Sequence, residues 1–237
     1  MLGAKSTHAA EAYVLGLFQL YPTVYFHKTT RGAEKIFSEL LFRLITLVRD
    51  GASAATGLPN THPLVRFATD PDDIERALEP DDTVVWGALS MMADGSDALV
   101  SGLSKRLRDR ELYKCIDVRT RLGHILGEDG KSAQKIDAAS AAINAKLAEW
   151  VSDHAGDMPR ILIDEAIREP YKRFQESKGP LNQIRIRTAG GRLVDLGERS
   201  PIVAAIEPFR LFRTYFAEND DEARAFIEKT IGEEAKP

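Results

Sequence analysis

No histidine in this chain is followed by an aspartate. The five histidines, His8, His27, His62, His124 and His154, are too scattered to form a ligand cluster for a catalytic metal. A single cysteine, Cys115, excludes a disulfide framework and points to a reducing compartment. It has no histidine neighbour in sequence to make it a nucleophile, so core packing in a strand is its expected role. No apolar run approaches the ~20 residues that a membrane span needs. The opening MLGAKSTHAAEAY lacks the apolar stretch of a secretory signal, so a cytoplasmic location and no membrane partner are expected. The net charge of -4 argues against binding nucleic acid over the whole surface, although it leaves room for a local basic face. Internal repeats are absent.

What is present is an ordinary globular composition, 43% hydrophobic and 29% charged, in 237 residues. Glu11 to Asp50 reads as helical. Tyr13, Leu17, Leu20 and Val24 form one 3.6-residue stripe, and Ile36, Leu40, Leu44 and Leu47 form another. Pro22 interrupts the first stripe and predicts a kink or a new start. Residues 51–62 are a small-residue loop. Short helices are expected after the acids Asp70, Asp72 and Asp73 and after Pro80-Asp81-Asp82, followed by an amphipathic helix from Ser96 to Arg110.

Downstream the pattern changes. Leu112–Val118 and Arg160–Asp164 read as strands, with a helix from Ser132 to Trp150 between them. Asn182–Thr188 turns through Gly190-Gly191 into Arg192–Leu196, a hairpin signal. Ser200-Pro201 predicts a helix running to about Phe216, and Asn219 to Ile231 predicts the last one. The expected fold is mainly α with a C-terminal α+β subdomain. A helical, bundle-like region over 1–110 precedes a small mixed or antiparallel sheet with helices over 111–237.

The residues with chemical promise cluster early. Tyr21, Tyr25 and Lys28 fall at i, i+4 and i+7 and would share a helix face, which Arg31 and Lys35 continue. Aromatic rings followed by fixed cations suit a ligand with a flat base at one end and phosphates at the other. Spacing alone equally allows packing tyrosines and a solvated cationic face, with Arg31 paired to Glu34 or Glu11. A second basic group, Lys105, Arg106, Arg108, Arg110 and Lys114, has only Tyr113 nearby. Single-stranded nucleic acid wants interleaved aromatics, so nucleic acid is not the expected partner.

EAYVLGLFQLYPTVYFHKTTRGAEK resembles the segment downstream of the catalytic core in HD-domain phosphohydrolases similar to deoxynucleoside triphosphate triphosphohydrolases. PDDIERALEPDDTVVWGAL and LRDRELYKCIDV resemble the next blocks of that family. ILIDEAIREPYK and NQIRIRTAGGRLVDLGERSPIV resemble its C-terminal α+β subdomain. The resemblance implies nucleotide contacts at Tyr21, Tyr25, His27, Lys28 and Arg31, and at Arg110 and Lys114 for an activating nucleotide that cements oligomers. Leu17 stands where many relatives carry an arginine. The family's metal-binding histidines and aspartates have no counterpart here. No catalytic residue, metal ligand or cofactor is therefore assigned to this chain, and a divalent metal is expected only in the intact family member. The resemblance implies the C-terminal part of such an enzyme, supplying a pocket wall and an assembly surface to a homo-oligomer or to an HD-containing partner chain. The alternative is a stand-alone module that senses a nucleotide (a deoxynucleotide or GTP) or oligomerises, and acts through a partner.

Overall fold

The computed structural model describes residues 2–127, 130–169, 171, 183–188 and 190–236. In chain order the elements are β1 (Leu2–Gly3), α1 (Thr7–Leu20), a π-helical turn (Tyr21–Tyr25) and α2 (Lys28–Arg49). Next come α3 (Pro63–Thr69), α4 (Ile74–Leu78), α5 (Asp82–Ala93), α6 (Ala98–Arg108), β2 (Lys114–Asp117), α7 (Val118–Leu126) and α8 (Gly130–Asp153). The chain ends with β3 (Ile161–Arg168), β4 (Arg185–Arg187), β5 (Leu193–Asp195), α9 (Leu196–Arg199), α10 (Pro201–Ala204), β6 (Phe209–Phe216) and α11 (Asp221–Glu234). The fold is mainly α with small sheets, as the sequence pattern predicts. No helix among the described residues is long and apolar enough to cross a membrane.

Two compact units share the chain: Met1–His27 with Glu165–Leu211, and Lys28–Asp164 with Phe212–Pro237. In the first, β1 pairs parallel with β4, and β4 pairs antiparallel with β5. The expected hairpin is there. Gly191, at φ 81°, takes the left-handed turn that suits glycine, and Thr188 and Arg192 close it through a 2.8 Å backbone bond. Asn182, where the strand was expected to begin, lies outside the described residues. Ala10 and Val14 of α1 pack on Ile186, Leu196 and Val203. The Tyr171 hydroxyl donates to Asp195 at 2.8 Å and accepts from the Ile184 amide at 3.2 Å, and burial pushes its pKa up to about 12. The predicted stripe on α1 is not the buried face: Tyr13, Leu20 and Val24 are 61%, 42% and 53% exposed.

The second unit is built on both faces of a sheet ordered β2-β6-β3. Side chains alternate across a strand, so neighbouring residues serve different cores. Leu162 and Tyr215 join Ile36, Leu40, Leu44, Leu103 and Met92 from α2, α5 and α6. Ile116, Ile161, Phe212 and Phe216 join Leu122, Ile143, Leu147 and Ile227 from α7, α8 and α11. The stripe predicted on α2 (Ile36, Leu40, Leu44, Leu47) is fully in the first of these cores. Aspartates start the helices. Asp73, Asp81, Asp97, Asp117 and Asp220 each accept an amide hydrogen bond at the head of α4, α5, α6, α7 and α11. Gly57, at φ 78°, lets a loop close on α5, since a Cβ there would lie 2.4 Å from the Met91 carbonyl oxygen.

One element departs from the sequence reading. The helix expected from Ser200 to Phe216 ends after Ala204, and Phe209–Phe216 is the central strand. Ser200 caps it as predicted, accepting from Val203 at 3.2 Å. Pro208 then removes a donor and pushes Glu207 toward an extended backbone. Beyond it FRLFRTYF is rich in aromatic and branched residues that fit a sheet buried on both faces. Helices α3 and α7, absent from the sequence reading, have their own start signals: His62-Pro63, and an aspartate, Asp117, at the end of a strand.

His62 caps α3 through its ring, Nδ1 accepting the Leu64 amide at 3.2 Å, which requires a neutral imidazole. Desolvation lowers its pKa from the ordinary value. A lowered folded pKa means the stabilisation is complete above about pH 6.5 and is lost as pH falls through the folded value. Chemical denaturation of His62→Asn, which keeps an acceptor without titrating, should show a weaker loss of stability from pH 7 to 5 than the parent. His62→Ala should cost about 1 kcal/mol at pH 7.

Candidate functional site

The tyrosine-rich segment is shaped by Pro22. It has no amide hydrogen, and the helix widens there into a π-helical turn closed by the Phe26 amide donating to the Tyr21 carbonyl, five residues back, at 2.7 Å. Thr23 donates its hydroxyl to the Gln19 carbonyl at 2.7 Å, satisfying an acceptor at the distortion. Phe26 is the buried anchor, stacked on Phe209 with centroids 5.1 Å apart. Tyr21 and Tyr25 meet at 5.5 Å, and Tyr25 is 55% exposed. The turn thus seals one aromatic inside and leaves another open. His27 is exposed, and a second helix begins at Lys28. The continuous helix face expected for Tyr21, Tyr25 and Lys28 is therefore broken after Tyr25.

In the other unit, α2 begins with exposed Lys28, Thr29 and Thr30. Arg31, one turn in, is committed. Its Nε donates to Asp164 Oδ2 at 3.0 Å, its Nη2 donates to Asp164 Oδ1, and Nη1 meets Glu34 at 2.8 Å. The Asp164 side chain is 2% exposed, so the pair is a two-pronged bond inside the protein. Neither Glu34 alone nor Glu11 describes that arrangement, and nothing in local spacing ties residue 31 to residue 164. Next to it Gly32 seats on the Tyr215 ring, where a Cβ would come within 3.0 Å of Cε1. Cys115, opposite Tyr215 in the β2–β6 register, is half-buried, and desolvation raises its thiol pKa. Core packing is the role this position supports.

Arg110 and Lys114 bracket the short link between α6 and β2. Arg110 is exposed and adopts φ 60°, the left-handed region, in a position where glycine is the usual residue. The Glu111 amide reaches back to the Arg106 carbonyl at 2.9 Å and that of Arg110 to Leu107 at 3.4 Å, which makes the turn a Schellman closure. Lys114 makes an exposed ion pair with Glu218 at 3.1 Å, of the kind that contributes little in water. Arg106 stacks over Tyr113 at 4.6 Å and Arg108 is paired with Asp109, so much of the basic group is occupied within the chain. No group of three His, Cys, Asp or Glu side chains among the described residues is placed to hold a metal ion.

No protein-family model matches the chain. A stretch of 113 residues is 29% identical to the uncharacterized protein YwfO of Bacillus subtilis (strain 168), covering 46% of this chain and 25% of that protein. The crystal structure of a phosphohydrolase from Bacteroides thetaiotaomicron VPI-5482 overlays with a TM-score of 0.56 at 17% identity, over 90% of this chain and 51% of that one. A hypothetical protein from Aquifex aeolicus does so with 0.56 at 18%, over 95% of this chain and 46% of that one. The chain spans about half the length of these solved structures and a quarter of YwfO. At such identities the likeness is one of fold, and a phosphohydrolase is among the proteins that share it.

Removing Arg31 leaves the Asp164 carboxylate, 2% exposed, without its countercharge, whereas an Arg31 that has lost Asp164 is 21% exposed and still meets Glu34. Arg31→Ala should lower the unfolding free energy by about 3–5 kcal/mol in urea titrations, and Asp164→Ala by less. Arg31→Lys should recover only part of that, because an ammonium lacks the planar fork.

Proposed function

We propose that this chain is the nucleotide-facing and assembly-forming region of a phosphohydrolase of the HD type, similar to deoxynucleoside triphosphate triphosphohydrolases. In this reading Tyr21 and Tyr25 offer ring faces to the base or sugar, and His27 and Lys28 approach phosphate. Arg31 holds the start of α2 in place through Asp164. Arg110 and Lys114 receive the phosphates of a nucleotide bound where copies of the chain, or the chain and an HD-containing partner, come together. Cleavage, with release of triphosphate, belongs to metal ligands outside these residues. The likeness of fold to a phosphohydrolase agrees with the reading.

The observation that carries it is Arg110. A side chain in the left-handed region costs about 1–2 kcal/mol relative to the right-handed one, and glycine would avoid that cost. Such strain is tolerated where the side chain is wanted for something other than folding. Its guanidinium has no ion-pair partner among the described residues and is exposed, as a phosphate-binding arginine must be before its ligand arrives.

Calorimetry with deoxynucleoside triphosphates and with GTP tests this. The expected result is micromolar binding that weakens about tenfold or more in Tyr25→Ala, Lys28→Ala and Arg110→Gly, the loss expected for a charge-assisted contact or an aromatic stack. Arg110→Gly should at the same time leave stability unchanged or raise it by up to about 1 kcal/mol, separating binding from folding. Absence of binding to every nucleotide, or equal affinity in all three variants, would refute the proposal.

A further inference from the structure

Acid is dense between residues 70 and 82. Residues 70–82 hold Asp70, Asp72, Asp73, Glu75, Glu79, Asp81 and Asp82 against one cation, Arg76, while the whole chain has 36 acids and 32 lysines and arginines. Folding accounts for some of them. Asp73 and Asp81 cap α4 and α5, Arg76 lies 3.2 Å from Asp73 and 3.7 Å from Asp70, and Arg66 meets Glu79 at 3.0 Å. Asp72, Glu75 and Asp82 are exposed and have no ion-pair partner among the described residues. Between them α4 turns Ile74 and Leu78, one helical turn apart, into solvent at 73% and 77% exposure. One exposed leucine is ordinary. An apolar ridge flanked by unpaired carboxylates is the complement of a helix with an apolar ridge flanked by cations.

The same unit carries a helix with one exposed apolar side chain and an outward arginine. α7 buries Val118, Leu122 and Gly123 and turns Arg121 and Ile125 outward, again one turn apart, with Ile125 54% exposed and His124 beside it. Arg121 forms a long ion pair with Glu228 at 3.8 Å, and its side chain is 46% exposed. The stretch leading into it, residues 105–121, has seven cations against three acids, of which Arg106, Arg108, Lys114 and Arg119 already have partners within the chain.

We infer that the outer face of α4 in one copy docks on the outer face of α7 in a second copy. Ile74 and Leu78 then meet Ile125, and Glu75 with Asp72 faces Arg121. The two patches differ, so the contact is head-to-tail and each copy keeps one face of either kind open for another. The inference names an assembly surface that requires no nucleotide. Measured without nucleotide, its failure leaves the nucleotide reading standing, and the converse holds too.

Sedimentation velocity on the full chain across a range of concentrations tests it. Self-association is expected at low salt and should weaken at about 0.5 M salt as the charges are screened. Glu75→Arg and Arg121→Glu should each lower the association constant about tenfold or more with an unchanged circular dichroism spectrum. An equimolar mixture of the two variants should restore assembly, because the reversed α4 of one then faces the reversed α7 of the other. Leu78→Ser, which leaves every charge in place, should weaken it as well. A chain that is monomeric throughout overturns the inference, as does association that survives both reversals. Loss in the α4 variants with none in Arg121→Glu would mean that some other surface occupies α4, and would overturn it too.

Discussion

The bond between Arg31 and Asp164 decides where α2 starts. A carboxylate that is 2% exposed is tolerable only with its countercharge in contact, since desolvating an isolated one costs several kcal/mol. That requirement pins the first turn of α2 to β3, and Gly32 lets the helix settle on the Tyr215 ring of β6. The rest of α2 follows from that seat, with Ile36, Leu40, Leu44 and Leu47 entering the core at successive turns. With Arg31 turned to Asp164, Lys28 stands at the exposed start of the helix.

Much of the chain's charge is used internally in the same manner. Asp97 caps α6 and also takes Arg43 from α2 at 2.6 Å, which holds its carboxyl below the usual range. Arg160 grips Asp220, the cap of α11, and lies over the Trp150 ring. In each case one carboxylate serves both a helix terminus and a guanidinium from another element, so the acids that look like a generic charged surface in sequence are joints. Lys28 and Arg110 belong to no such joint among the described residues.

The likeness of fold to proteins only 17–18% identical has a physical basis in this layout. A sheet buried on both faces asks for apolar alternation and volume rather than for particular residues, and capped helices ask for a small acceptor at the start. Sequences can drift far while meeting those demands.

Local patterns by themselves determined most of the helices, the Gly190-Gly191 hairpin, the aspartates that start α4 and α5 and the aromatic and cationic character of residues 21–31. Each depends on neighbours within a few positions, where period, caps and turn chemistry act. The break at Pro22 was legible as well, though its form as a π-helical turn with Phe26 turned in and Tyr25 turned out was not. Only the tertiary structure decided that Phe209–Phe216 is a central strand, that Arg31 belongs to Asp164 and that Arg110 occupies a left-handed turn. Those outcomes rest on partners from distant parts of the chain or on a backbone closure that no spacing rule encodes. An amphipathic pattern cannot tell a strand buried on two sides from a short helix until the layers on either side of it exist.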